Sequence, residues 1–186
     1  MRVIAGLYRS RQLKGKPPAG IRPTSDKLRE TLFNVLGPRV EGASFLDGFA
    51  GMGGVGIEAI SRGAQSVYFV EQAHQAATII RQNLASLGVK EGFRVIEADL
   101  GKTLDLFERE RTTFDIVFMD PPYEREFLYA ENLSAFGARP LLNEGGVVIM
   151  EHSKRVELPE TEGRLLRYRI LTQGDSSLSF YRAGHE

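Results

Sequence analysis

The chain has 186 residues, 42% of them hydrophobic and 26% charged, which is the make-up of one globular domain with room for a small appendage. It contains no cysteine, which excludes disulfides, thiolate metal sites and a cysteine nucleophile, and its three histidines (74, 152 and 185) are too scattered for a zinc site. With no secretory signal and no 18-residue apolar run, a cytoplasmic protein without membrane or metal partners is expected.

The formal net charge of zero hides an asymmetry. Residues 1–40 carry nine Lys or Arg against two acids, +7, and the remainder carries fifteen against twenty-two, −7. Arg2, Arg9, Arg11, Lys14 and Arg22 fall in the basic part, with Tyr8 among them. Such a segment on an acidic body suits a polyanion, so these five are candidate nucleic-acid contacts.

Residues 1–14 alternate around Gly6 and are expected to form a small β-hairpin or extended arm, followed by a stiff linker at 16–20. A boundary at 20/21 would separate this arm from a domain spanning 21–186. Thr24 or Ser25 can cap a helix whose apolar face is Leu28, Leu32, Phe33, Val35 and Leu36, ended by Gly37-Pro38. From residue 44 strand and helix patterns alternate. Strands are expected at 44–48, 67–71, 93–98, 114–119 and 146–151, and helices at 54–62, 73–87, 100–110 and 125–137. Two more strands, 164–172 and 177–182, flank a turn at 173–176. The near-continuous apolar runs at 67–71 and 114–119 indicate strands buried on both faces of a parallel sheet. The expected fold is therefore α/β: a Rossmann-like sheet of seven strands, mostly parallel, with an antiparallel C-terminal hairpin.

Gly51, Gly53 and Gly56 satisfy G-x-G-x-x-G between the first of these strands and its helix, where backbone N–H groups can meet a ligand's anionic group. Asp47 stands at the strand tip, and Glu71 ends the second strand, where an acid can accept from ribose hydroxyls. A carboxylate at position 47 is unfavourable beside a pyrophosphate and favourable beside the cationic amino group of a methionine moiety, which points to S-adenosyl-L-methionine before a nicotinamide dinucleotide. Asp99 follows the third strand, where it can accept from an adenine amino group with Leu100 against the ring; it is equally a good helix N-cap.

Asp120-Pro121-Pro122-Tyr123 ends the 114–119 strand in a stiff turn. An exocyclic amine conjugated into a nucleobase is a poor nucleophile. Acceptors on both N–H bonds would hold it near tetrahedral geometry and aim its lone pair. The Asp120 carboxylate and the Pro121 carbonyl can supply them, and Tyr123 offers a face for the base.

These stretches together resemble the RsmD-type methyltransferases of bacteria. Arg2-Val3-Ile4-Ala5-Gly6 with Tyr8-Arg9-Ser10-Arg11 is similar to their basic amino-terminal signature. The run from Arg22-Pro23-Thr24-Ser25-Asp26 to Phe33-Asn34 resembles their most distinctive block. The run from Phe49-Ala50-Gly51-Met52-Gly53 to Gly56 resembles their cofactor loop, with Met52 where serine is more usual, and Asp120–Tyr123 their catalytic motif. The resemblance implies S-adenosyl-L-methionine as cofactor, with Phe49 among its contacts. It implies methylation of the N2 amine of a guanine in 16S ribosomal RNA, on an assembled or partly assembled small subunit. Asp-Pro-Pro-Tyr by itself is shared with adenine-N6 methyltransferases. That reading, a nicotinamide-dependent oxidoreductase and a catalytically silent RNA-binding scaffold are the alternatives.

Overall fold

The computed structural model describes residues 1–20 and 22–184; the boundary residue 21 and His185 lie outside the described residues. In chain order the elements are α1 (Asp26–Leu36), β1 (Ser44–Asp47), α2 (Gly54–Ser61), β2 (Ser66–Val70), α3 (His74–Leu87), β3 (Phe93–Ile96) and α4 (Leu100–Glu110). They continue with β4 (Phe114–Met119), α5 (Phe127–Ala138), β5 (Leu142–Ser153), β6 (Thr161–Glu162), β7 (Leu165–Gln173) and β8 (Ser176–Ala183). A short 3₁₀ turn, Gly37–Val40, follows α1.

All the strands join one sheet in the order β3-β2-β1-β4-β5-β8-β7-β6. The first five are parallel, and β8, β7 and β6 add antiparallel. The strand order reverses between β1 and β4, so a crevice opens outside their carboxyl ends. Alternation along the strands divides the core. Phe45, Ile116, Phe118 and Ile149 pack with α1, α2 and α3 on one face. Leu46, Val117, Met119 and Met150 pack with α4 and α5 on the other. Both faces are covered, as a parallel sheet requires.

Three local features differ from the expectation. The two-residue strand β6 is an eighth strand, too short to leave a period-2 pattern. β5 begins four residues earlier than 146, through Leu142 and Asn143. The amino-terminal segment is no regular hairpin: one isolated bridge, Arg2↔Gln12, closes a turn with positive φ at Gly6 and Ser10.

That segment is fastened to the sheet by helix side chains. Glu58 of α2 is fully buried and accepts from the Ile4 and Ala5 backbone N–H groups at 2.8 and 3.0 Å, while Arg62 Nε donates to it at 2.9 Å. Asn83 of α3 accepts from the Lys14 N–H at 2.8 Å. Val3 and Leu13 enter the core beside them. The buried Glu58 carboxylate is thus satisfied by backbone donors and cations, as burial demands. The basic side chains are carried on a fixed loop. No helix among the described residues is long and apolar enough to cross a membrane.

Candidate active site

Four neighbouring strands each run into an acid. Glu71 follows β2, Asp47 ends β1, Asp120 follows β4, and Glu151 lies near the carboxyl end of β5; Asp99, after β3, extends the row. Because parallel strands put their carboxyl ends on one edge, five carboxyls from distant parts of the chain meet along the crevice. All five line one cavity of about 890 Å³, within the size range of small-molecule sites.

Asp47 is only 1% exposed, and its Oδ2 accepts from the Gly56 N–H at 2.9 Å. Burial pushes its carboxyl from the ordinary 3.8 up to about 7; the Gly56 hydrogen bond opposes the rise and the charge of Glu71 adds to it. Glu71 shapes the glycine loop. One carboxylate oxygen accepts from the Gly51 N–H and the other from the Ala73 N–H, each at 2.8 Å, leaving further lone pairs for a ligand. Asp99 caps α4, accepting from the Lys102 N–H at 3.3 Å, and also lines the cavity. Capping and lining coexist at this residue.

The Asp120–Tyr123 turn sits at the opposite half of the crevice. The Arg125 N–H donates to the Pro122 carbonyl at 2.9 Å, closing a tight turn over 122–125 around Tyr123, whose hydroxyl is 2.9 Å from Ser176 Oγ at the start of β8. The aromatic face is thereby fixed at both ends. Desolvation holds the Asp120 carboxyl well above the usual carboxylate range; the charges of Glu151 and then Asp47 raise it further, and Arg22 opposes them.

Of the residues singled out in the sequence, Asp47, Phe49, Gly51, Glu71, Asp99 and Leu100 line the cavity, together with Asp120, Pro121, Pro122, Tyr123 and Arg22. Gly53 and Gly56 lie just behind that lining, and both have a packing role of their own. Gly53 supplies the left-handed N-cap of α2 at φ 81°. A Cβ on Gly56 would lie 2.2 Å from the Phe69 ring, so this glycine lets α2 press onto β2. Arg2, Arg9, Arg11 and Lys14 are exposed on the amino-terminal loop, outside the cavity lining. Arg2 lies 3.7 Å from Asp26, and Arg11 donates to the Ser86 carbonyl at 3.1 Å.

The sequence reading missed Glu151 and took Thr24 as a candidate cap; Ser25 caps α1, and the Thr24 hydroxyl donates to Glu151 Oε2 at 2.9 Å. A signal was present: Val-Val-Ile-Met-Glu at 147–151 has the same form as Val-Tyr-Phe-Val-Glu at 67–71, an apolar run ending in an acid. It also missed Arg29, wholly buried on α1, whose Nη2 donates to Asp26 Oδ1 at 3.0 Å and whose Nε lies 3.7 Å from Glu58.

Comparison with known proteins gives concordant results. The family model described as "Conserved hypothetical protein 95" matches residues 1–182. The Bacillus subtilis protein YlbH is 38% identical over 182 residues, 98% of each chain. The Escherichia coli protein named ribosomal RNA small subunit methyltransferase D is 31% identical over 182 residues, 98% of this chain and 89% of its own. The solved structure of YhhF from Escherichia coli superposes with a TM-score of 0.86 at 31% identity, covering 100% of this chain and 99% of that one.

Proposed function

The chain belongs to the "Conserved hypothetical protein 95" family, that of the RsmD-type methyltransferases, and from that membership we propose that it transfers a methyl group from S-adenosyl-L-methionine to the N2 amine of a guanine in 16S ribosomal RNA. The observation that carries the reading is the row of strand-end carboxyls on one cavity with the Asp120–Tyr123 turn at one end. The donor set suits this cofactor. It offers acceptors for an amino cation, ribose hydroxyls and an adenine amine, with a helix N-terminus close by for a carboxylate. A pyrophosphate among the same acids would be repelled.

When bound, S-adenosyl-L-methionine supplies an electrophilic methyl group on a sulfonium centre and a neutral thioether as leaving group. Asp47 would hold the methionine amino group, and a cation there would favour its ionised form. Glu71 would accept from the ribose hydroxyls, Asp99 from the adenine amine, and Leu100 would pack against the ring. At the other half of the crevice, Asp120 and the Pro121 carbonyl accept the two N–H bonds of the guanine amine. Those two acceptors would fix the direction of the nitrogen lone pair, and correct placement is the main source of rate. The raised proton affinity of Asp120 suits it to take the proton the amine releases. Tyr123, braced by Ser176, stacks on the base. Arg22 at the mouth and Arg2, Arg9, Arg11 and Lys14 on the anchored loop hold RNA phosphates.

The test is methyl transfer from labelled S-adenosyl-L-methionine to small subunits from a strain lacking this protein. Wild-type protein is expected to label 16S RNA. Asp120→Ala is expected to lose at least a hundredfold in rate while still binding cofactor, and wild-type turnover in that variant would refute the assigned role.

A further inference from the structure

Glu151 has a peculiar position for a carboxyl. It is 4% exposed and lies beside another acid. β4 and β5 run parallel, and Asp120 and Glu151 directly follow Met119 and Met150, the last pair of that ladder; they are close enough for the Glu151 charge to raise the Asp120 carboxyl. Met150 packs toward α4 and α5 and Ile149 toward α1, so alternation turns Glu151 to the α1 side of the sheet. There Thr24 Oγ1 donates to its Oε2, and the Ser176 and Tyr123 hydroxyls lie beside it. Burying a carboxyl beside a second, partly buried one is unfavourable, and fold stability alone would be served better by a neutral side chain. The second acid therefore calls for a reason in the ligand.

Resting on the methyl-transfer reading above, we propose that Glu151 accepts a hydrogen bond from N1–H of the target base and so selects guanine over adenine. Guanine carries N1–H and the N2 amine side by side on its Watson–Crick edge. A base that gives an amine N–H to Asp120 turns its N1 toward the neighbouring strand tip, where Glu151 stands. Burial raises the Glu151 carboxyl, while the Thr24, Ser176 and Tyr123 hydroxyls and the Arg22 charge favour its ionised form. In that form it only accepts, so the N1 lone pair of adenine is repelled and the carboxylate left unpaired. A site built to receive a particular N–H rejects a base lacking it far more strongly than a shape-selective pocket does. The turn Asp120–Tyr123 thus specifies an amine, and Glu151 specifies which base carries it.

The experiment compares guanine with 2-aminopurine, which keeps the N2 amine but has an unprotonated N1, placed at the target position of 16S RNA in reconstituted small subunits. The target position is first located by mass spectrometry of RNA methylated by the wild-type protein. Transfer rates for both bases are measured with the wild-type protein and with Glu151→Gln, which keeps the side-chain shape, retains an oxygen for Thr24 and can donate to an N1 lone pair. Wild-type protein is expected to prefer guanine strongly. In Glu151→Gln the guanine:2-aminopurine ratio is expected to fall by about 10- to 100-fold, the worth of a hydrogen bond to a charged group. Taking a ratio within each protein removes any loss of active fraction, and an equal loss on both bases is what a purely structural role would give. An unchanged ratio, or no wild-type preference, would overturn the inference while leaving the methyltransferase reading intact. Absence of wild-type transfer to guanine would overturn both.

Discussion

Replacing Asp47 by Asn is expected to stabilise the fold above neutral pH while weakening the cofactor site. Asp47 is buried at the tip of β1 with its carboxyl raised from 3.8 to about 7, chiefly by desolvation. The folded state therefore binds a proton that the unfolded state has already released. The stability associated with the neutral form is fully present below pH 3.8 and is lost as pH rises through about 7. At 1.36 kcal/mol per pKa unit the loss amounts to about 4 kcal/mol at pH 8 and under half of that at pH 5. Asn cannot ionise, and its side-chain oxygen can still accept from the Gly56 N–H. Urea unfolding of both proteins at pH 5 and pH 8 isolates the effect, because titrations common to both largely cancel. The stability advantage of the variant should grow by roughly 2–3 kcal/mol between the two conditions. An advantage that does not change with pH would refute the assignment of a buried, proton-holding Asp47. The same substitution should raise the dissociation constant for S-adenosyl-L-methionine at pH 8 by at least tenfold, measured by calorimetry, since a neutral amide does not attract the amino cation.

The raised Asp120 carboxyl makes methyl transfer pH-dependent: its acceptor form predominates only above its raised pKa, so the single-turnover rate should climb with pH beyond the range where an ordinary aspartate is ionised. A profile already flat at pH 5 would contradict this. Gly56→Ala places a methyl against the Phe69 ring and should destabilise the fold by about 1–3 kcal/mol in denaturant titration; wild-type stability would show that α2 can lift off β2 freely. Arg9→Glu with Arg11→Glu should weaken RNA binding and make its salt dependence shallower, whereas an unchanged salt slope would remove the amino-terminal loop from the interface.

What could be read from the sequence and what could not divides along contact distance. The glycine loop and the Asp-Pro-Pro-Tyr turn are local: a few consecutive residues carry their geometry, and each lies where a strand pattern stops. Asp99 reads in the sequence as a helix cap or as an acceptor for an adenine amine; the structure shows the cap and has the residue on the cavity wall. The pairing of Thr24 with Glu151 spans 127 residues and exists only because β5 lies beside β4 in one register. Gly56 fits a ligand-binding spacing, and the ring of Phe69 on the next strand, which no local pattern reveals, independently requires a glycine there. The amino-terminal loop alternates as a hairpin does, but its backbone donors go to Glu58 and Asn83, which in sequence are ordinary polar residues of two helices.

The central claim is that this cavity methylates a guanine amine of ribosomal RNA. Mass spectrometry of 16S RNA from a strain lacking the protein, before and after incubation of its small subunits with pure protein and S-adenosyl-L-methionine, tests it most directly. One N2-methylguanosine should be missing from the strain's RNA and restored by wild-type protein but not by Asp120→Ala. An identical modification profile with and without the protein would contradict the claim.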